Sequence, residues 1–561
     1  MPEEKYESSK VDSESTTSEV VKSVKDLSQV EKNATPYDEI VALPVRENVI
    51  LVLGLANALF LAALDNTIVS TALPTIANQL NSLSLVSWVA TSYMLSSTAL
   101  QPLYGKISDI FGTKVCLLFS IVVFMIGSLI SGLSKSMVML IIARGITGIG
   151  GAGIMVLVNL VISQTIPLRN RGKYMGIIGA VFGLSSVVGP LLGGVFTDKA
   201  SWRWCFYINL PLGVMSFLVV FFIVKVKPST GDVREKVKRI DFIGVALLMA
   251  GLIMILLALN WGGSEYSWSS ARILCLLIIG IIIIGLFVFY DIKYPAEPLV
   301  PMSIFKIRNI ALCLSSQFFL GYGMYGIIFY IPIYYNVLHN GSATESGLFL
   351  LPFMLGLVVA SISSGQIISR TGIYRPSLWL GTAIMCVGAG LISTYSENTS
   401  GVKQRVYLAI SGIGLGLCMQ PMVISVQANS PRNILSMSTT MVGFFRVIGG
   451  SIGLAVVSAI NSTHLSSSLN EFVSEYPQFE EVARIAVNNA KIIYAPTTDP
   501  IAKEAILQAY IHSLHNVFIS LIPVVCLAFV LVLPVTHVEL SKGDKPTKED
   551  DSPTEQAVHE V

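Results

Sequence analysis

The chain has 561 residues, 53% of them hydrophobic and 13% charged, about half the roughly 25% charge of a soluble globular chain. Lys plus Arg, 37, nearly cancel Asp plus Glu, 35, so no basic excess exists to hold nucleic acid and no acidic excess to solvate an open chain. This composition excludes an ordinary soluble protein and makes the lipid bilayer the first partner.

A helix crossing a hydrocarbon core of ~30 Å needs about 20 mostly apolar residues, because each adds only ~1.5 Å. The first 45 residues carry ten acids and five lysines and no apolar run, which reads as a disordered tail with no cleavable signal peptide. Fourteen apolar stretches follow, near 49–71, 85–104, 115–133, 137–164, 174–196, 205–224, 240–260, 272–290, 310–335, 346–368, 377–394, 406–427, 437–460 and 516–535. The expected fold is therefore an all-α polytopic membrane protein. A long external loop is expected over 461–515, with helix-like spacing from Phe479 to Ile493 and a surface-flap role, and a second disordered tail over 541–561.

With the N-terminus inside, the loops on that side hold seventeen Lys and Arg, among them Lys106, Lys114, Arg169, Arg171, Lys173 and Arg370, and the opposite loops nine. The positive-inside rule then places both termini in the cytoplasm. The sequons at Asn340, Asn398 and Asn461 fall on the other side, as glycosylation candidates require.

GKISDIFGTK (Gly105 to Lys114) between spans 2 and 3 is echoed by GQIISRTGIY (Gly365 to Tyr374) between spans 10 and 11, and RGITGIGGAG of span 4 by SGIGLGL of span 12. This predicts two six-helix bundles, 46–225 and 296–540, with two extra helices over 226–295. Those two are almost free of polar side chains, so they are expected to face lipid and line no pathway. A repeat of this kind with a site at mid-membrane is how many secondary transporters are built.

No phosphate loop occurs, because Lys106 and Lys173, the lysines directly after a glycine, lack the following Ser or Thr. There is no H-E-x-x-H and no Cys/His cluster, so the reading is not an enzyme, with no cofactor and no metal. An ion gradient remains as the energy source, and that needs a titratable group in the membrane.

Asp65 in span 1, Arg144 in span 4 and Arg446 in span 13 are the clear ionisable residues within spans. Each costs at least ~2.5 kcal/mol near mid-helix, which makes function the default explanation. Asp65 stands six residues before one end of span 1 and Arg144 seven after the same-side start of span 4, so each is ~10 Å below one face at the helical rise. The pair reads as a proton switch, since a carboxylate near Arg⁺ stays ionised and loses that preference when the contact opens; a structural ion pair is the alternative. Arg446, in FFRVIGGSIG, reads equally as a structural anchor or a substrate contact. In span 5 the Gly189, Pro190, Gly193, Gly194 cluster permits close packing or a kink.

These residues together resemble the major facilitator superfamily, and within it the fourteen-helix drug:proton antiporter branch, over roughly 45–540. LDNTIVSTALPTIA resembles the branch's first-span motif, with Asp65 at its acidic position. GKISDIFGTK resembles the loop motif G-x-L-a-D-r-x-G-r-k at Gly105, Asp109, Gly112 and Lys114, while Ile110 and Thr113 stand where that pattern has Arg. With Gly365, Arg370 and Gly372 of the echo, these are the expected conformational latch. Arg144 and Gly148 match the fourth-span motif, which in the family is associated with proton coupling; Gly189, Pro190, Gly193 and Gly194 match the fifth-span antiporter motif; WRWCFYINLPLG is typical of the branch. The resemblance implies a rocking two-bundle carrier that exchanges a cytosolic solute for protons, with no obligate protein partner inferred.

For the solute, Tyr322, Tyr325 and Phe329 of span 9 recur at helical spacing and form a candidate aromatic wall for a lipophilic or cationic molecule; packing against lipid is the alternative. Asn159, Gln164, Gln317 and Gln420 are further polar candidates. The expected function is proton-coupled export of drug-like or toxic small molecules, at the plasma or vacuolar membrane. The alternatives are vacuolar import of basic amino acids and a membrane sensor that binds without transporting.

Overall fold

The computed structural model describes residues 45–80, 82, 85–224, 237, 239–263, 266–295, 297–341, 343–488, 493–494 and 499–540. Apart from Val45, which begins a helix, the two tails predicted to be disordered lie outside the described residues. Within these residues the chain is helical, with one isolated bridge, Gly262 to Tyr266, in place of any strand.

The first bundle contains α1 (Val45–Gln79), α2 (Val86–Ala99), α3 (Gln101–Phe111), α4 (Thr113–Leu133), α5 (Met137–Thr165), α6 (Leu168–Lys199), α7 (Trp204–Tyr207) and α8 (Asn209–Ile223). The middle pair is α9 (Phe242–Trp261) and α10 (Ala271–Lys293). The second bundle contains α11 (Arg308–His339), α12 (Ala343–Phe349), α13 (Leu351–Thr371), α14 (Arg375–Ser393), α15 (Gly401–Asn429), α16 (Leu435–Glu475), α17 (Glu480–Asn488) and α18 (Pro500–Val532).

Among the described residues, twelve helical segments are long and apolar enough to cross a bilayer. The other two of the fourteen expected passages are helical but differ in kind. One is α2 followed by α3, broken at Leu100 just before Pro102, whose missing N–H suits the start of a helix and not its interior. The other is α6, which begins with Arg169, Arg171 and Lys173 and is correspondingly less apolar. Between α3 and α4 the chain turns on Gly112 at φ 94°, a backbone state that favours glycine.

The expectation of a long loop over 461–515 is corrected. Helix α16 continues to Glu475 and α18 begins at Pro500. They stay helical because Leu465 and Leu469 of α16, Ala486 of α17 and Ala502 and Ile506 of α18 bury one another in a small separate core with Val337 of α11. The helix expected near 479–493 is α17. Asn461 therefore lies within α16, half-buried, its side-chain oxygen accepting a hydrogen bond from Ser513 at 3.0 Å. Asn398 is exposed, and Asn340 caps α11 in the left-handed conformation.

α9 and α10 pack on each other, and α10 exposes Ile278, Ile281, Ile282, Leu286 and Phe289. A helix this apolar on its exposed face suits lipid. α9 also departs from expectation: Leu256, Leu259 and Asn260 at its end help line a lateral cavity, and Asn260 accepts from Thr91 of α2 at 2.9 Å.

Glycines bring the two bundles together. A Cβ on Gly172 or Gly176 of α6 would stand 2.7 or 2.8 Å from the α13 backbone, and one on Gly365 of α13 would be 2.0 Å from the Gly172 carbonyl. At the second crossing α3 meets α16, where a Cβ on Gly105 would be 2.8 Å from the Thr440 hydroxyl. The two echoing loop motifs thus supply the close-approach glycine at the two related crossings.

Candidate functional site

The first site lies inside the first bundle. Asp65 is fully buried and Arg144 almost so. Arg144 donates from Nη1 to Asp65 Oδ2 and from Nε to the Val89 carbonyl at 3.2 Å. The other carboxylate oxygen accepts from Asn209 Nδ2 at 3.0 Å, and Asn209 also reaches the Ser128 hydroxyl at 3.2 Å. The guanidinium lies 4.5 Å from the ring centre of Tyr93, whose hydroxyl donates to the Ala62 carbonyl. Gly148, one turn after Arg144, allows this enclosure: a Cβ there would be 2.6 Å from the Tyr93 carbonyl.

The fifth-span glycines lie beside this pair. A Cβ on Gly189 would stand 2.0 Å from the Thr67 hydroxyl, and one on Gly193 would be 2.4 Å from the Ile68 carbonyl, so α6 is seated on α1 within one turn of Asp65. Gly194 faces open space. The Pro190 side chain lies outside the described residues.

The second site is a cavity of about 90 Å³ between the bundles. Its polar lining comes from Gln101, Asn159, Gln420, Thr439, Thr440 and Arg446, and its apolar lining from Leu59, Met155, Ile178, Phe182, Met419 and Val423 among others. It accommodates a few waters, far below the roughly 300 Å³ at which drug-sized pockets begin. Arg446 makes no ion pair or hydrogen bond among the described residues, and the ionisable groups near it are Tyr325 and Cys418. Thr439 is buried with its hydroxyl unpaired.

Of the predicted solute contacts, Asn159, Gln420 and Arg446 come together here. Gln164 and Gln317 do not line it, and Gln317 is fully buried with both amide atoms unpaired. The aromatic wall is corrected: Tyr322 packs against Gly453, while Tyr325 and Phe329 stack with centroids 6.2 Å apart. Phe329 faces the lateral cavity of about 250 Å³, with Tyr330, Ser451 and the end of α9. Helical spacing aligned these rings on α11, but the α11 face turned to the central cavity is closed by α16.

The third site is the latch at the end that the loop charges predict to be cytoplasmic. Asp109 lies beside Ser436 of the other bundle. Arg169 of α6 donates to the carbonyls of Ser369 at 3.2 Å and Arg370 at 2.7 Å on α13. Buried Arg171 bonds the Ile166 and Ser163 carbonyls and reaches Gln427 of α15 at 3.1 Å. Two predicted latch members are corrected: Lys114 turns back to the Phe221 carbonyl of its own bundle at 2.7 Å, and Arg370 contributes its backbone while its side chain is exposed. Gly372 caps α13 at φ 77°. Nearby, Glu297 pairs with Arg239 at 2.8 Å and Lys106 at 3.2 Å, and the Arg239 guanidinium holds its carboxyl below the usual range.

Asn209, Gln101 and Thr439 are site residues that the sequence reading misses, and it gives Arg169 and Arg171 no role beyond loop charge. Asn209 and Gln101 carry a signal in the sequence, a polar side chain within an apolar run.

Residues 55–454 match the Major Facilitator Superfamily. The efflux pump aflT of Aspergillus parasiticus is 34% identical, covering 84% of this chain and 91% of its own. The MFS-type efflux pump MFS1 of Trichophyton rubrum is 38% identical over 72% and 77%, and the multidrug transporter protein MdtP of Bacillus subtilis 34% over 76% and 78%. Among solved structures, the human organic anion transporter MFSD10 (TETRAN) superposes with a TM-score of 0.57 at 14% identity, covering 87% of this chain and all of that one. That likeness concerns the fold.

Proposed function

We propose, for a chain that belongs to the Major Facilitator Superfamily, proton-coupled antiport: export of drug-like small molecules from the cytosol through fourteen membrane passages, with both termini cytoplasmic. The observation that carries the coupling is the Asp65, Arg144 and Asn209 cluster, buried in one bundle and joined to the inter-bundle cavity through α6. The efflux names of several relatives support the direction of transport.

Mechanically, α6 holds three contacts at once. Its start is pinned to α13 at Gly172, its middle gives Ile178, Gly179 and Phe182 to the cavity wall, and its end lies on α1 beside Asp65. Protonating Asp65 removes the negative charge that holds Arg144, which stays cationic because a guanidinium does not deprotonate. The α1 to α5 contact then loosens, and α6 carries the change to the bundle crossing. The latch closes the cavity towards the basic end in the conformation described.

Import of basic amino acids is less well supported, because among the described residues no carboxylate lines the central cavity to receive a second cation.

The test is dissipation of a pH gradient in sealed vesicles, lumen acidic and basic end outward, with drug cations, basic amino acids and organic anions added in turn. A solute that collapses the gradient for wild type and not for Asp65→Asn supports the proposal. Equal collapse by both proteins, or by no solute, removes it.

A further inference from the structure

We infer that the central cavity is built for an organic monoanion, a solute with an apolar body that presents one carboxylate, sulfonate or similar group to Arg446. This rests on reading that cavity as the solute site. Three arginines within the helices, Arg144 and Arg171 buried and Arg446 half-buried, make the point by contrast. Arg144 has Asp65, and Arg171 has two carbonyls and the Gln427 amide oxygen. Arg446 lines the cavity with no such match, and its ionisable neighbours, Tyr325 and Cys418, are ordinarily neutral near pH 7.

Other donors converge on the same space. The Thr439 hydroxyl is buried and unpaired, and Gln101 and Gln420 line the cavity without a hydrogen bond among the described residues. Guanidinium, hydroxyl and amide N–H groups all donate, so an acceptor carrying negative charge matches the set. The site holds one cation, which fits one anionic group. Met155, Phe182 and Val423 on the remaining wall suit an apolar body. The cavity of about 90 Å³ must widen to take such a solute, so the binding conformation is more open than the one described.

The experiment is equilibrium binding by calorimetry to the full-length protein in nanodiscs of neutral lipid, using three matched probes: 1-naphthaleneacetate, its amide and 1-naphthylmethylammonium. The anion is expected to bind at least tenfold tighter than the amide, and the ammonium weakest. Arg446→Gln should reduce the anion's advantage to twofold or less, Arg446→Lys should keep most of it, and Phe329→Ala in the lateral cavity should leave it intact. The inference is overturned if wild type binds the amide or the ammonium as tightly as the anion, if the anion fails to bind at millimolar concentration, or if Arg446→Gln keeps the preference. Binding needs no gradient, so Asp65→Asn should retain it. If Asp65→Asn binds the anion normally and still transports it with unchanged proton coupling, the coupling role of Asp65 falls and this inference stands; if it binds normally and loses the coupling, both stand.

Discussion

Arg144 and Arg446 are each an arginine within an apolar helix, one in either bundle, yet their surroundings are opposite. Arg144 is enclosed by Asp65, the Val89 carbonyl and the Tyr93 ring, away from the central cavity. Arg446 borders that cavity and has no ion pair or hydrogen bond among the described residues. The difference divides the labour: the matched charge is placed for an event inside one bundle, and the unmatched one for what enters between the bundles.

Stability should separate the two most strongly. Arg144→Gln strands a buried carboxylate, and breaking a buried pair costs about 3–5 kcal/mol. Arg446→Gln strands no carboxylate among the described residues and should cost less than about 1 kcal/mol or stabilise, since a half-buried charge without a partner is itself unfavourable. Thermal unfolding of the two variants in detergent checks this, and equal losses would erase the distinction.

The glycine crossings give the next effect. Gly365→Ala puts a Cβ 2.0 Å from the Gly172 carbonyl, whereas Gly194→Ala meets nothing within 4 Å. A cysteine pair replacing Arg169 and Arg370 reports closure of the latch: its cross-linking should fall severalfold with Gly365→Ala and stay unchanged with Gly194→Ala.

Arg169→Ala should act in the same direction and more weakly. It removes two hydrogen bonds at the edge of the latch, together worth about 1–3 kcal/mol, and should favour the open basic end in accessibility labelling there.

Glu297 supplies the smallest effect and a control for Asp65. Its carboxyl is held below the usual range in the folded protein by Arg239. Its contribution is therefore fully present above the unfolded carboxylate value of about 4.3 and is lost only as pH falls through the lower folded value. Glu297→Gln should leave the pH profile of transport between 5 and 8 unchanged.

Much of this was legible because helical rise and hydropathy are local. Asp65 and Arg144 could be set at one depth by counting residues, and the echo between GKISDIFGTK and GQIISRTGIY located both glycine crossings. Rotation was not legible. The spacing of Tyr322, Tyr325 and Phe329 predicts a shared face of α11 but not which neighbour covers it, and α16 does. Sequence distance hid the rest: Asn209 lies 144 residues from the carboxylate it meets, and the small core that keeps 461–475 helical joins α11, α16, α17 and α18.

The most direct test compares two transport modes of Asp65→Asn, using whichever solute collapses the vesicle pH gradient for wild type. Solute-for-solute counterflow at equal pH needs no net proton movement, whereas gradient-driven accumulation does. The account predicts that Asp65→Asn keeps counterflow within a few-fold of wild type and loses accumulation. Accumulation that persists in Asp65→Asn would contradict it, placing the proton on some group other than the carboxylate beside Arg144.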